Sequence, residues 1–554
     1  MKTNSDTYVD LHVHSTCSDG TMTPSELVDY AIEKGLSAFA LTDHDTIDGL
    51  SEAISYAQGK PIEVVPGIEF STEYESRDIH ILGLYLNTEK KEFRQALQAF
   101  QDSRTTRNHK LCEKLREIGM DITYEAMLAR FPDSTITRAH YARYLLEHGY
   151  VKSLSEAFDR YLGDHTPYYI PREKVTPQQA VRLILSAGGI PILAHPTLYH
   201  MSSARLEQLV EKLKEAGLMG IEAIYSTYTA GEQRQILQLA KKYQLLISGG
   251  SDFHGANKPK LDLGCGYGNL KIPAVILEDL KRSRMRLVFS DLDGTLLNRN
   301  SMISPKTRNA ICSMIRRGHR LILASGRPLN SILEVLRSNE LEQPGMLVIS
   351  NNGALVYDCD SKKALCEHRL CQEDLRLIFR EAASMKLYCQ AYTDTHIMTF
   401  ESSEELEYYT GKIHLPTLFS KAADSLADAL PNGSYKVLVI ELHDHARLEA
   451  FRKHILSLYG DRLQAVFSSD KFLELLPLQA GKGNAVRFVC DYFQVPLSHA
   501  YACGDAENDL SMLEAAGTGV AMKNADPSVK EKAALVTEED NDHDGLVPLF
   551  DSLP

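Results

Sequence analysis

A chain of 554 residues is too long for one ordinary core, and its length suggests about three to four domain-sized units. Its composition, 44% hydrophobic and 24% charged, is that of a soluble globular protein, while a formal net charge of -14 argues against wide electrostatic binding to long nucleic acid. The 10 cysteines read as reduced thiols of a cytoplasmic protein, no apolar signal region follows Met1, and no run is long enough to predict a membrane span.

The first predicted strand, residues 9–13, alternates Val9, Leu11 and Val13 with Asp10, His12 and His14. Period two puts His12 and His14 on one face, and with Asp19 just beyond they could chelate a metal. Thr23-Pro24-Ser25-Glu26 then starts a helix, with Thr23 as N-cap and Glu26 closing a capping box. A strand over 36–42 ends in Asp43-His44-Asp45, one over 62–69 runs out into Glu69, and one over 78–85 carries His80. The pattern returns at 189–194, ending in His195-Pro196, at 218–224, and at 243–250, ending in Ser251-Asp252-Phe253-His254.

About seven apolar strands separated by amphipathic helices imply parallel strands, right-handed crossovers and a closed or nearly closed barrel, with chemistry at the C-terminal strand ends. A lone buried histidine is usually a hydrogen-bonded core residue. Nine N and O ligand types converging on one barrel mouth (His12, His14, Asp19, His44, Glu69, His80, His195, Asp252 and His254) are not explained that way. They suffice for two or three divalent metals, with Mn, Fe or Zn favoured by a donor set without thiolate. Metal-assisted hydrolysis of a phosphate ester is the reaction they suit. Between His80 and His195, residues 90–177 read mostly as helices, an insertion over the mouth. Within it Arg138, His140 and Arg172 could grip a second phosphate, and Tyr168 and Tyr169 could stack on a base.

His12-Val13-His14, Ser18-Asp19-Gly20, Thr42-Asp43-His44, Gly67-Ile68-Glu69, Ala194-His195-Pro196 and Gly250-Ser251-Asp252-Phe253-His254 resemble the PHP (polymerase and histidinol phosphatase) metallo-phosphoesterase family. The insertion resembles the group containing nucleoside 3',5'-bisphosphate phosphatases and the 5'-to-3' exonuclease called RNase AM. By that resemblance one metal would use His12, His14, Glu69 and Asp252, a second Asp19, His44 and His254, and a third Glu69, His80 and His195.

After a last helix near 276–280, a new strand over 286–290 ends in Asp291-Leu292-Asp293-Gly294-Thr295. Here Asp291 could attack phosphorus while Mg²⁺ masks its charge, and Asp293 could protonate the leaving oxygen and then activate water. The strand over 320–324 ends in Ser325-Gly326-Arg327-Pro328, whose hydroxyl can bind a phosphoryl group. Lys482, opening a helix, could neutralise nucleophile and phosphate together, and Asp505, with Asp509 behind it, could hold the cation. These stations, in this order, resemble the Cof-type phosphatases of the haloacid dehalogenase (HAD) superfamily. The resemblance implies Asp291, Asp293, Ser325 and Lys482 as catalytic residues. It also implies Asp291, Asp293, Asp505 and Asp509 around Mg²⁺, and Ser325, Gly326 and Lys482 at the phosphate.

The fold expected is α/β: a (β/α)7 PHP barrel over residues 1–284, with its helical insertion, then a Rossmann-like HAD core at 285–356 and 472–554 with an inserted α/β cap over 357–471. The function expected is a bifunctional phosphate-ester hydrolase. The first half would act on nucleoside 3',5'-bisphosphates or the 5' ends of short oligonucleotides, and the second on a sugar or nucleotide monophosphate through an aspartyl-phosphate. The alternatives are histidinol phosphate or another small phosphomonoester for the first half, or a non-catalytic ligand-binding role for one half.

Overall fold

A computed structural model describes residues 7–163, 166–170, 176–393, 395–411 and 415–553. The chain folds as two compact units that divide between Arg284 and Met285. Among the described residues no helix is long and apolar enough to cross a membrane.

The first unit is built on a seven-stranded sheet in sequence order: β1 (Tyr8–Val13), β2 (Leu36–Leu41), β3 (Glu63–Tyr74), β4 (Arg77–Leu84), β5 (Ile190–Leu193), β6 (Gly220–Tyr225) and β7 (Leu246–Gly250). A parallel bridge between Val13 and Phe253 and the hydrogen bond from the Asp252 N–H to the His12 carbonyl bring the end of β7 back to β1, so the sheet is nearly closed. Gly250 is required there, because a Cβ at this position would lie 2.2 Å from the Cβ of His12. Leu11, Leu82, Ile190 and Ile192 are among the apolar side chains packed inside, and the helix Pro24–Glu33 starts on the capping box of Thr23 and Glu26.

Two features differ from the expected run of parallel strands. β4 is antiparallel to both β3 and β5. The cause is a tight hairpin at Glu75 and Ser76, both at positive φ (52° and 59°), where a crossover helix was expected. β3 and β4 are therefore long, and Glu69 and His80 lie inside this hairpin instead of at strand ends. Between β4 and β5 the chain forms the helices Lys91–Glu117, Tyr124–Arg130 and Arg138–Glu147, packed around a core of their own that includes Leu111, Leu115, Ile122, Met127, Tyr141 and Leu145.

The second unit holds two sheets. One has eight strands. β8 (Leu287–Ser290), β9 (Arg320–Ala324), β10 (Leu347–Ser350), β11 (Leu355–Asp358), β12 (Lys363–Glu367), β19 (Ala500–Gly504), β20 (Thr518–Ala521) and β21 (Leu535–Val536) stand in the order β12-β11-β10-β9-β8-β19-β20-β21. Helices such as Pro305–Arg316 and Lys482–Phe493 bury their apolar faces in the core of this sheet. The other sheet, β13 (Tyr388–Tyr392), β14 (Ile397–Thr399), β15 (Thr417–Phe419), β16 (Val437–Ile440), β17 (Leu463–Ser469) and β18 (Phe472–Pro477), runs β15-β14-β13-β16-β18-β17. The cap differs from its expected bounds at both ends. β12, inside the stretch assigned to the cap, pairs with β11 and extends the core sheet, and β18, assigned to the core, pairs with β16 and β17.

Candidate active sites

At the mouth of the first sheet the nine residues singled out in the sequence converge. Glu69 is the hub. Its Oε2 lies 3.2 Å from His12 Nε2, 3.3 Å from His14 Nε2 and 3.1 Å from His44 Nδ1, and its Oε1 lies 2.8 Å from His80 Nδ1 and 3.1 Å from His195 Nε2. Asp252 Oδ1 stands 3.4 Å from His14 Nε2 and 3.3 Å from His254 Nδ1, and Asp19 Oδ1 stands 3.2 Å from His254 Nε2. Asp252 and His195 sit at positive φ, 59° and 25°, so the backbone turns sharply to aim them inward.

Five buried atoms here have no hydrogen-bond partner: His12 Nε2, His14 Nε2, Asp19 Oδ1, Glu69 Oε2 and His195 Nδ1. Each such atom costs about 1–3 kcal/mol unless something satisfies it. A cluster of N and O donors of this kind fits divalent metals, and sets such as His14, Asp19, His44 and His254 have ligand atoms within 4.8 Å of one another. Burial opposes charge on the imidazoles. At His14 the carboxylates of Asp252 and Glu69 outweigh it and lift the ring to about 9; at His44 burial wins and pushes it down to about 3.

Outer groups fix the ligands. Tyr225 OH and Lys258 Nζ both reach Asp252 Oδ2 at 2.6 Å, which leaves Oδ1 facing the histidines. Asp43 accepts from Ser15 and Ser18, and Asp10 accepts from Ser251 and Gly264. The insertion is tied in by Arg104, whose guanidinium holds Asp45 Oδ2 and Ser71 Oγ.

A cavity of about 380 Å³ opens at the cluster, lined by Asp19, His44, Glu69, His80, His195 and Asp252 and by Arg104, Arg107, Arg138 and Arg143 of the insertion. Arg138 is at the wall, paired with Asp78. His140 is not part of it. Its Nδ1 accepts from the Thr137 N–H as the N3 partner of a capping box, its ring packs on Phe131, and burial pushes it down to about 4. The neutral ring serves the helix, not a phosphate. Arg172 lies outside the described residues. Tyr168 lines a separate surface cavity, and the Tyr169 hydroxyl sits 3.4 Å from Glu73. Arg104, Arg107, Glu222 and Lys258 were not singled out from the sequence; an acidic residue inside the apolar run of β6 was the one available signal.

In the second unit three ends of neighbouring strands and one helix start meet. Asp291 follows β8, Ser325 follows β9, Asp505 follows β19, and Lys482 opens its helix. Lys482 Nζ lies 2.5 Å from Asp291 Oδ1 and 2.6 Å from Asp509 Oδ1. Asp509 Oδ2 accepts from the N–H groups of Asp505 and Ala506, and Thr295 Oγ1 donates to Asp505 Oδ1 at 2.6 Å. Gly294, at φ 78°, leaves room for Asp505, whose Oδ2 a Cβ there would approach to 2.3 Å. Burial raises Asp291 well above the carboxylate range although Lys482 opposes it, and burial with Asp509 raises Asp505 to about 7. Asp291, Asp505 and Asp509 form a group that could hold a cation. Asp293, expected in that group, instead gives both carboxylate oxygens to Arg327, at 2.7 and 2.5 Å. A cavity of about 240 Å³ joins Asp291, Asp293, Ser325 and Gly326 to cap residues including Tyr409, Lys436 and Glu474.

Comparison with known proteins agrees with both halves. Residues 10–216 match the model of the PHP domain, and residues 288–549 match that of haloacid dehalogenase-like hydrolases. A 5'-3' exoribonuclease of Haemophilus influenzae is 38% identical over 245 residues, covering 44% of this chain and 89% of that protein. A 3',5'-nucleoside bisphosphate phosphatase of Chromobacterium violaceum is 31% identical over 258 residues, covering 46% of this chain and 90% of that one. The 5-amino-6-(5-phospho-D-ribitylamino)uracil phosphatase YwtE of Bacillus subtilis is 28% identical over 296 residues, covering 49% of this chain and 98% of that one. With both constellations in place, the chain belongs to the PHP-domain family through its first half and to the haloacid dehalogenase-like hydrolases, of Cof type, through its second.

Proposed function

We propose that this is a cytoplasmic enzyme with two phosphate-ester hydrolase sites in two domains, residues 1–284 and 285–554. The first would act on nucleoside 3',5'-bisphosphates or the 5' ends of short oligonucleotides. The observation that carries this reading is the first cavity, lined by seven of the nine donor residues together with Arg107, Arg138 and Arg143 of the insertion. A substrate with two phosphates suits a lining of this kind: one phosphate on the donor cluster, the other on guanidinium groups. The named activities of the two relatives matched by this half support the same class.

In this reading His12, His14, Glu69 and Asp252 hold one metal, Asp19, His44 and His254 a second, and Glu69, His80 and His195 a third, with Mn²⁺ favoured over Fe or Zn. Bound there, divalent metals supply Lewis acidity toward phosphoryl oxygens and a lowered pKa for water. The chain's own work is to orient. Lys258 and Tyr225 hold one oxygen of Asp252, and Arg104 keeps the Asp45 turn against the insertion.

The second site would be a Mg²⁺-dependent phosphomonoesterase. Asp291, with Lys482 beside it, is the nucleophile, and Asp291, Asp505 and Asp509 would hold the cation, which would mask negative charge at the reacting phosphate. Its carboxylate oxygen forms the bond to phosphorus as the ester oxygen leaves and takes a proton from Asp293. Asp293, then ionised, takes a proton from the water that displaces Asp291 and releases inorganic phosphate. To do this Asp293 exchanges Arg327 for the leaving oxygen, and Ser325 and the backbone at Gly326 bind the phosphoryl oxygens.

The test is phosphate release from adenosine 3',5'-bisphosphate with Mn²⁺ and from p-nitrophenyl phosphate with Mg²⁺, by wild type, His12→Ala and Asp291→Asn. The expected result is loss of at least about 10³-fold of the first activity alone in His12→Ala and of the second alone in Asp291→Asn. Equal loss of both in either variant would sink the two-site reading.

A further inference from the structure

Glu222 has no place in the nine-residue cluster, yet it touches two members of it. It lies in β6, fully buried, between Ile221 and Ala223. Its Oε1 is 3.2 Å from His12 Nδ1, and its Oε2 accepts the His195 N–H at 2.7 Å. His12 comes from β1 and His195 from the turn after β5, so one carboxylate spans two ligands from different strands.

We infer that Glu222 is the positioning residue of the first site, fixing the tautomer of His12 and the backbone of His195 so that both rings are aimed at the metals. The inference rests on the reading of that site as a metal centre. An ionised carboxylate can only accept hydrogen bonds, so the His12 proton sits on Nδ1. Nε2 is then the ring nitrogen turned into the cluster, and it is one of the atoms without a hydrogen-bond partner. His195 adopts φ 25°, ψ 55° immediately before Pro196, a backbone that is strained and that a preceding-proline clash disfavours further. The 2.7 Å bond to Glu222 holds the peptide in that orientation.

A buried acid that merely fills space would tolerate an isosteric amide, whereas a two-sided acceptor would not. Glutamine offers one acceptor and one donor, so in Glu222→Gln either the His12 Nδ1–H or the His195 N–H loses its partner while the packing volume stays the same. The experiment is Mn²⁺ affinity by competition with a chelating dye, with metal content by elemental analysis, on wild type, Glu222→Gln and Glu222→Asp. It is joined by ¹⁵N-histidine spectra of the wild type and Glu222→Gln.

Affinity is expected to fall about 10–100-fold in Glu222→Gln, with partial recovery in Glu222→Asp, which keeps the charge. His12 is expected as the Nδ1–H tautomer in wild type and as a mixture in Glu222→Gln. Metal affinity of Glu222→Gln within twofold of wild type would overturn the inference. If Glu222→Gln fails to fold, the wild-type spectrum decides alone: a proton on His12 Nε2 overturns the proposal and a proton on Nδ1 upholds it. Wild-type protein that binds no metal would instead overturn the metal reading itself, a result read without any Glu222 variant.

Discussion

The two sites serve the same class of reaction and compensate their buried charge in opposite ways. In the first, carboxylates and imidazoles crowd together and five buried atoms lack hydrogen-bond partners. In the second, no oxygen of Asp291, Asp505 or Asp509 is buried without a partner. Lys482, itself 1% exposed, is an internal counter-ion to two of these three, backbone N–H groups donate to Asp509 Oδ2, and Thr295 donates to Asp505 Oδ1. On the proposed reading the first site takes its compensating charge from bound metals, while the second carries a permanent cation on its own chain. The difference matters for stability, because a group left unpaired in a buried site works against the fold until its partner arrives.

The largest effect that would break this comparison is chelation. Metals that bind only the folded state stabilise it by about 2.7 kcal/mol per site at a hundredfold excess over Kd. Two or more sites in the first unit then amount to something on the order of 5 kcal/mol, against half of that or less in the second. Hydrogen exchange on peptides from each half, with and without chelator, reads the two separately. The expected outcome is a strong loss of protection in β1 and β5–β7 and a weak one in β8, β9 and β19; equal losses would show that the second site also depends on solution cations for its order.

A smaller effect sharpens the other side of the comparison. If Lys482 is the built-in counter-ion, Lys482→Met leaves Asp291 and Asp509 without the cation the chain itself supplies. Turnover of p-nitrophenyl phosphate is then expected to fall about 10²-fold, while bisphosphate hydrolysis at the first site is untouched. The pH profile gives the sign. Lys482 pulls the Asp291 carboxyl down against burial, so its removal raises that group further, and the nucleophile must be ionised to attack. The acidic limb of kcat/KM is expected to move to higher pH. A limb that stays in place, whatever the size of the rate loss, would show that Lys482 does not set the charge of Asp291.

Much of this was legible in the chain, for a specific reason. Most strands are short apolar runs, and most of the ligands are polar residues breaking the run near its end, as in Leu41-Thr42-Asp43-His44 and Gly250-Ser251-Asp252, Glu69 and His80 being the exceptions. The reversal at β4 was not legible, because Glu75-Ser76 carries none of the glycine or asparagine that usually marks a hairpin with both central residues at positive φ. Glu222 is a single acidic residue in an apolar run, and Arg104 looks like one more charge on a long polar helix; only packing shows what each one touches. Asp293 and His140 illustrate a different limit. Their residue types suited the chemistry expected of them, but sequence does not record where a side chain points, and one turns to Arg327 while the other turns back onto its own helix.

His140 also gives the smallest and most specific test of how the insertion is joined to the first site. Thr137 N–H donates to His140 Nδ1, and Thr137 Oγ1 donates to Asp19 Oδ2 at 2.9 Å, so a neutral ring keeps the helix start against a residue of the cluster. Burial holds His140 down at about 4, below its ordinary value of 6.5. Between these values the unfolded chain binds the proton and the folded one does not. Stability from this group is thus fully present above pH 6.5 and is lost as pH falls toward 4. Lowering the pH from 7.5 to 5 is expected to remove about 2 kcal/mol through His140. Glutamine suits the same N3 position of a capping box and does not titrate. In His140→Gln, hydrogen exchange of the helix Arg138–Glu147 should match wild type at pH 7.5 and be better protected than wild type at pH 5, by roughly that amount. The comparison is between proteins at the same pH, so the other histidines of the site cancel. A difference between variant and wild type that is the same at both pH values would mean that His140 is not held neutral by its burial, and that the capping box is not the acid-sensitive join between insertion and cluster.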